Sequence, residues 1–322
     1  MKSVTIVGAT GLVGRTVLSI LEERSYPVQR LNLFASDRAK GVTLDFRGEP
    51  VPVTPLAEWS GDDSQIAFFC AGGEVSINFA QRFATNGTLV IDNSSTFRMD
   101  PNVPLIVPEV NRHEIPNAKG IIANPNCSTI QLVVALAPLH RHFGVRRAVV
   151  STYQSVSGKG FKGVKELESQ RTGSGEPHVF PYRIEDNLIP FIDEIGEDGY
   201  CLEETKLMRE TKKILHDDGL AITATSVRVP VSYCHSESVN LEFETDIDLH
   251  KLEEILQQSP GVKYCGSSFI PSPLDAVGTD SVWVGRLRRD PSRKNSVNLW
   301  IVSDNVRKGA ALNAVQIAEA SE

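Results

Sequence analysis

The spacing of apolar residues along the chain shifts between a period of two and a period near 3.6, and each shift marks an element. In SVTIVGATGLVGRTVLSILEER, Val4, Ile6 and Val7 form a short buried run. After a glycine turn, Leu12, Val13, Val17, Leu18 and Leu21 fall on one side of a helix. RLNLFAS and QIAFFCAGG read as second and third strands, the latter also ending in glycines. A helical NFAQRFATNG and a strand TLVIDNSS follow. Strands alternating with helices predict a parallel, doubly wound sheet, the α/β class.

Around Asn124 the texture changes. GIIANPNCSTIQLVVALAPLH carries an apolar run into Asn-Pro-Asn, then a cysteine, then a helix-length apolar run. Beyond it RRAVVSTYQSVS, LAITATSVRVPVS, SESVNLEFETD, SVWVGRLRRD and SVNLWIVSDN are strand-like. EETKLMRETKKILH and DLHKLEEILQQS are helical, and GSGEPHVFPY is a polar loop. This predicts an α+β second domain on a mixed or antiparallel sheet. RKGAALNAVQIAEA is a terminal helix with Ala310, Ala314, Ile317 and Ala318 on its apolar side. The expected division is 1–125 for the first domain, 126–305 for the second, and a helix over 306–322 returning to the first. With no linker between the domains, a cleft between them is expected.

Composition narrows the class of function. The 322 residues carry a formal net charge of -7 with 41% hydrophobic and 23% charged residues, as in folded globular proteins. That balance gives no electrostatic reason to bind nucleic acid or an anionic membrane. No apolar run nears the roughly 18 residues of a membrane span, and MKSVTIVGATG lacks a signal-peptide core. The 5 cysteines are scattered, with no CxxC pair or zinc spacing, so no metal is expected and reduced thiols in a cytoplasm fit.

Two sites carry candidate chemistry. GATGLVG sets Gly8, Gly11 and Gly14 between a strand and a helix, where glycines let a dinucleotide pyrophosphate approach the helix N-terminus. The spacing is GxxGxxG. The second strand ends in Ser36-Asp37-Arg38; Ser36 and Arg38 suit a 2′-phosphate, which favours NADP over NAD. Cys127 is the other. Asn126 or Cys127 sits at a helix N-cap, and a thiolate there meets free N–H groups and the positive end of the helix dipole. Cys234, beside His235, is its rival. If VRVPVSYCHSES is one strand, Cys234 and His235 point to opposite faces, and His235 could face Cys127.

GATGLVG, NSSTFRMD, NPNCST, YQSVSGKG, EETKLMRETKKIL, RVPVSYCHSE and DNVRKGAA, in that order, resemble the aspartate-semialdehyde dehydrogenase family along nearly the whole chain. The resemblance implies a Rossmann-type N-terminal domain and a second domain for catalysis and dimerisation. It implies NADPH-dependent reduction of L-4-aspartyl phosphate to L-aspartate 4-semialdehyde with release of phosphate. Cys127 matches the nucleophile that forms a thioester, His235 the acid/base residue and Gln154 the residue that orients the substrate. Arg228 matches the grip on the α-carboxylate, Glu203 the carboxylate facing the α-amino group, and Arg98 and Lys206 the phosphate-binding residues. Asn126 lines the same pocket.

For the cofactor, the resemblance adds Thr10, Leu12 and Val13 to the three glycines, and then Gly72, Ser157, Gly158 and Asn305. Ala39 stands where members commonly have serine, which removes one hydrogen bond to a 2′-phosphate. The implied assembly is a homodimer, or a tetramer of paired dimers. The implied pathway feeds lysine, threonine and methionine, with diaminopimelate a further branch. The alternatives are a relative such as N-acetyl-γ-glutamyl-phosphate reductase or malonyl-CoA reductase, or a catalytically silent paralogue. A free α-amino group calls for a carboxylate such as Glu203, which favours aspartyl phosphate over an N-acetylated substrate.

Overall fold

Val4, Thr5, Ile6 and Val7 are all buried within Lys2–Val7 (β1). A strand covered on both faces belongs at the middle of a parallel sheet. The computed structural model describes residues 2–61, 64–117 and 120–321. They divide into two compact units, Met1–Pro125 with Ala310–Glu322, and Asn126–Gly309. The chain thus rejoins the first unit at Ala310, and residues 306–309 belong to the second.

In the first unit β1 turns into the helix Leu12–Glu23 (α1). The remaining strands are Val28–Ala35 (β2), Thr43–Phe46 (β3), Glu49–Pro55 (β4), Ile66–Phe69 (β5), Leu89–Asp92 (β6) and Ile121–Ala123 (β7). Their order is β3-β4-β2-β1-β5-β6-β7, parallel throughout except for the antiparallel β3–β4 hairpin at one edge. That hairpin escapes the sequence pattern because Pro50, Pro52 and Pro55 make β4 read as loop, and proline is tolerated near a sheet edge. The terminal helix Leu312–Ala320 packs Leu312, Val315 and Ile317 into the core that holds Val4, Ile6, Val17 and Leu21.

The second unit is built round the helix Cys127–Phe143 (α2), whose residues 128–139 are all buried. A helix apolar on every side is stable only when enclosed. Around it come Val145–Gln154 (β8), the helices Gly160–Arg171 (α3) and Leu202–Leu215 (α4), Ala221–Arg228 (β9) and His235–Phe243 (β10). Leu249–Gln258 (α5), Val262–Tyr264 (β11), Val282–Arg289 (β12) and Ser296–Ser303 (β13) complete it. The sheet order is β11-β12-β13-β10-β8-β9, with β8–β9 and β11–β12 parallel and the other pairs antiparallel. The sheet is therefore mixed.

One local expectation changes, and one helix had no expectation to meet. VRVPVSYCHSES is not one strand: β9 ends at Arg228, β10 begins at His235, and Cys234 has a left-handed φ of 72°. Cys234 packs with Ala276, Trp283 and Val302 because of that turn and not through strand alternation. Helix α3 lies in a stretch without apolar periodicity because its inner face is partly polar. Glu166 accepts the N–H groups of His178, Val179 and Phe180, and Gln170 accepts those of Ile184 and Glu185. The polar loop after α3 is thereby held by buried side chains.

Candidate active site

Strand register assembles the centre of the second unit. His235 at the start of β10 pairs with Gln154 at the end of β8, and Gln154 pairs with Arg228 at the end of β9. Directly opposed residues share a sheet face, so residues far apart in the chain form one buried row. The start of α2 meets this row: the Gln154 amide donates to Ser128 Oγ at 2.8 Å.

Asn126 is the N-cap of α2, its Oδ1 accepting from the N–H groups of Ser128 at 2.9 Å and Thr129 at 3.3 Å. Cys127 is therefore the first helical residue. Two carboxylates of α4 hold the cap in turn. Glu203 accepts from Asn126 Nδ2 at 2.9 Å and from Gln154 Nε2 at 3.2 Å, and Glu210 accepts the Asn126 backbone N–H at 2.7 Å. Sequence reasoning missed Glu210. The available signal was its position seven residues after Glu203, on the same face of α4. Gly309 packs on the nucleophile candidate, since a Cβ there would lie 3.0 Å from Cys127 Cβ.

Arg228 is buried, and its Nη1 donates to the Ser155 carbonyl at 2.7 Å. Burial lowers its pKa, while Glu203, Cys127 and Asp193 counter by favouring the cation. A cavity of about 710 Å³ opens beside it, lined in part by Lys159, Phe180, Phe191, Asp193 and Leu202. Asp193 bridges Lys159 at 2.5 Å and Lys206 at 3.2 Å, and Lys206 also lies 3.5 Å from Glu203. Burial opposes the Asp193 carboxylate, but the two ammonium groups outweigh it and hold its pKa below the usual range.

His235 is fully enclosed. Its Nδ1 accepts the Ser155 backbone N–H at 3.1 Å, and its Nε2 has no hydrogen-bond partner among the described residues. Burial, then the nearby Arg228 cation, push its pKa down to about 3, so the ring is neutral at physiological pH. Glu237, two residues on and on the same face, is buried too, and burial pushes its carboxyl up to about 8. Burial raises the thiols of Cys70, Cys234, Cys201 and Cys265, which suits inert side chains. Ser157 and Asn305 join the His235 cluster: Asn305 Oδ1 accepts from Ser157 Oγ at 3.0 Å and from the Cys234 N–H at 2.9 Å.

The first unit presents backbone in place of side chains. Gly8 has a left-handed φ of 86°, and a Cβ on it would stand 2.7 Å from the Cys70 carbonyl carbon; one on Gly14 would stand 2.3 Å from Gly8 O. Gly11 caps α1 without a side-chain acceptor, which leaves the first helical N–H groups for an anion. Thr10, Leu12 and Val13 line this turn, and Gly72, with a φ of 94°, caps the helical run over 73–85. Ser36 and Arg38 are exposed at the end of β2, as is Asp37. The cradle fits a dinucleotide pyrophosphate, because at Gly8 and Gly14 the backbone stands where a side chain would clash. Arg98 also belongs to this unit, where it donates to the carbonyls of Asn124 and Asn93 at 2.9 Å each.

Comparison with known proteins agrees with this division. Residues 3–118 match the semialdehyde dehydrogenase NAD binding domain, and residues 136–308 match the semialdehyde dehydrogenase dimerisation domain. The chain is 49% identical to an aspartate-semialdehyde dehydrogenase of Aquifex aeolicus, over 98% of this chain and 96% of that protein. It is 45% identical to one from Bacillus subtilis, with the same coverage. A crystal structure of aspartate semialdehyde dehydrogenase II from Vibrio cholerae, complexed with ASA, superposes with a TM-score of 0.97 at 45% identity, covering 99% of this chain and 98% of that one.

Proposed function

The chain belongs to the aspartate-semialdehyde dehydrogenase family, and on that premise we propose that it reduces L-4-aspartyl phosphate to L-aspartate 4-semialdehyde with NADPH. The observation that carries this reading is the buried row His235–Gln154–Arg228 against the capped start of α2, where Cys127 stands.

The thiolate of Cys127 attacks the acyl carbon of the substrate, a C–S bond forms, the C–O bond to phosphate breaks, and a thioester remains on the enzyme. The helix N-terminus favours the thiolate. Arg228, anchored through Nη1, presents its remaining N–H groups to the α-carboxylate as a fork. Glu203 takes the α-amino group, Gln154 and Asn126 fix the acyl group beside the thiol, and Lys206 with Arg98 receives the phosphate. When bound, the reduced dinucleotide supplies a hydride to the acyl carbon. His235 serves the oxygen that gains charge in each tetrahedral species and moves its proton. Loss of the sulfur then yields the aldehyde.

The glycine turn with Thr10, Leu12, Val13 and Gly72 holds the dinucleotide, and Ser36 with Arg38 takes its 2′-phosphate; Ser157, Gly158 and Asn305 serve its nicotinamide end. The second unit also forms the homodimer, or the tetramer built from it. No helix among the described residues is long and apolar enough to cross a membrane, and the proposed setting is the cytoplasm. There the product feeds lysine, threonine, methionine and diaminopimelate synthesis. The test is the reverse reaction. Aspartate semialdehyde and phosphate should reduce NADP faster than NAD, and N-acetylglutamate semialdehyde should be a poor substrate. Faster oxidation of the N-acetylated aldehyde would refute the substrate assignment.

A further inference from the structure

Glu203 and Lys206 stand three residues apart on α4, the spacing at which a carboxylate and an ammonium meet on one helix face. Glu203 Oε1 accepts from the amides of Asn126 and Gln154 at 2.9 and 3.2 Å, and its Oε2 lies 3.5 Å from Lys206 Nζ. Left to themselves, the two would close into an ion pair. A second carboxylate is nearer: Asp193 Oδ2 lies 3.2 Å from the same Nζ. We propose that Asp193 is a positioning residue that holds the Lys206 ammonium for phosphate and keeps Glu203 available to the substrate α-amino group. The inference rests on the reaction proposed above, which gives Lys206 and Glu203 those partners. All of these residues lie in the second unit.

Asp193 is held where it stands. Its other oxygen, Oδ1, is taken by Lys159 Nζ at 2.5 Å, so the carboxylate cannot swing away without losing both ammonium groups. Its backbone has a left-handed φ of 65°, a conformation that most side chains avoid and aspartate tolerates. The chain on either side is pinned to the start of α4. The Ile192 N–H reaches Cys201 Sγ at 3.5 Å, the Glu194 carbonyl accepts the Leu202 N–H at 2.9 Å, and Ile195 forms a bridge with Cys201. A strained residue persists where its surroundings fix it, and here they tie it to the helix that carries Glu203 and Lys206.

Charge shows what the second carboxylate does. The substrate brings a cation, its α-ammonium, and an anion, its phosphate, to a helix pair of opposite sign. A closed Glu203–Lys206 pair would satisfy both members and serve neither end of the substrate. With Lys206 shared, Glu203 keeps charge for the α-ammonium. The two lysines hold Asp193 ionised at neutral pH, so the anchor does not titrate away in the working range. Lys159, Asp193 and Lys206 together still carry one net positive charge, so the added carboxylate leaves the site attractive to phosphate. The Asp193 and Lys206 side chains are 25% and 27% exposed, which makes the expected effect modest.

The test is Asp193→Gly in the full-length enzyme, because glycine adopts this φ without strain and removes the carboxylate. In the reverse reaction KM for phosphate should rise about fivefold, the worth of one part-exposed charged hydrogen bond. KM for aspartate semialdehyde should rise about twofold, with kcat changed by less than about twofold. Asp193→Asn keeps the shape and loses the charge, and should move the phosphate KM in the same direction. Added to Lys206→Met, Asp193→Gly should change that KM by less than about twofold, because the group it positions is gone. A crystal structure of Asp193→Gly should show Lys206 Nζ drawn onto Glu203. An unchanged or lower phosphate KM in Asp193→Gly would overturn the proposal, as would an equal rise with and without Lys206. Wild-type phosphate KM in Lys206→Met would instead overturn the phosphate role of Lys206, and the crystal structure would still decide whether Asp193 positions it.

Discussion

The two units prepare for their ligands in different ways. The first offers a turn in which Gly8 and Gly14 come so close to neighbouring backbone that no Cβ fits. The second offers buried polar side chains, Asn126, Gln154, Glu203, Arg228 and His235, tied to one another or to backbone. A backbone cradle presents N–H groups that neither titrate nor change rotamer, so adding volume is the way to break it. A side-chain pocket depends on charge and proton position, and breaks when either changes while its shape stays the same.

The comparison is broken most severely at Cys127. Cys127→Ser should cost roughly 10³-fold or more in turnover, because an alcohol there is a far poorer nucleophile than a thiolate. Dinucleotide binding by fluorescence titration should stay unchanged; retained turnover would remove covalent catalysis from this site. Arg228→Lys keeps the charge and loses the fork, and should raise KM about 10- to 100-fold. An unchanged KM would take Arg228 out of the substrate site.

Gly14→Ala is the reciprocal case. It should weaken dinucleotide binding and lower stability by about 1–3 kcal/mol, as overpacking does. The alkylation rate of Cys127 by iodoacetamide should stay at the wild-type level; a matching loss there would mean that the units are not separable devices. Arg38→Ala should reduce the preference for NADP over NAD about tenfold, the scale of one charge-assisted hydrogen bond, measured as the ratio of kcat/KM values.

The last test separates two buried groups on one face of β10. Enclosure drives His235 down to about 3 and Glu237 up to about 8. The native state thus binds the imidazole proton less tightly than the unfolded chain, and stability falls as pH drops below the ordinary histidine range. It holds the Glu237 proton more tightly, so that contribution is complete below the ordinary glutamate pKa and is lost as pH rises through about 8. Glu237→Gln should gain on the wild type as pH rises from about 5 to 8, by up to about 1.4 kcal/mol per unit. Urea midpoints check this, and a difference that does not vary with pH would contradict it.

How much of this was legible in the sequence depends on how local each feature is. The unit β1–turn–α1 is read directly, because its glycines and its apolar period lie within twenty-odd residues. The α/β first unit, the α+β character of the second and its helices α4 and α5 follow from pattern in the same way; that the second sheet is mixed is decided by strand pairing. The row His235–Gln154–Arg228 is different. Each residue was singled out by resemblance, but their alignment is a matter of register between three strands, and no local pattern encodes it. Glu210 and Ser155 stayed hidden because their roles are hydrogen bonds across long sequence gaps. The β3–β4 hairpin and α3 were lost to prolines and to a polar inner face.

The central claim is that Cys127 carries the acyl group. The enzyme should be mixed with aspartate semialdehyde and NADP without phosphate, quenched in acid, digested and weighed. The account predicts one aspartyl group on the peptide containing Cys127, absent in Cys127→Ser and discharged when phosphate is added before the quench. Turnover with no adduct on that peptide, or an adduct on Cys234 in its place, would contradict it.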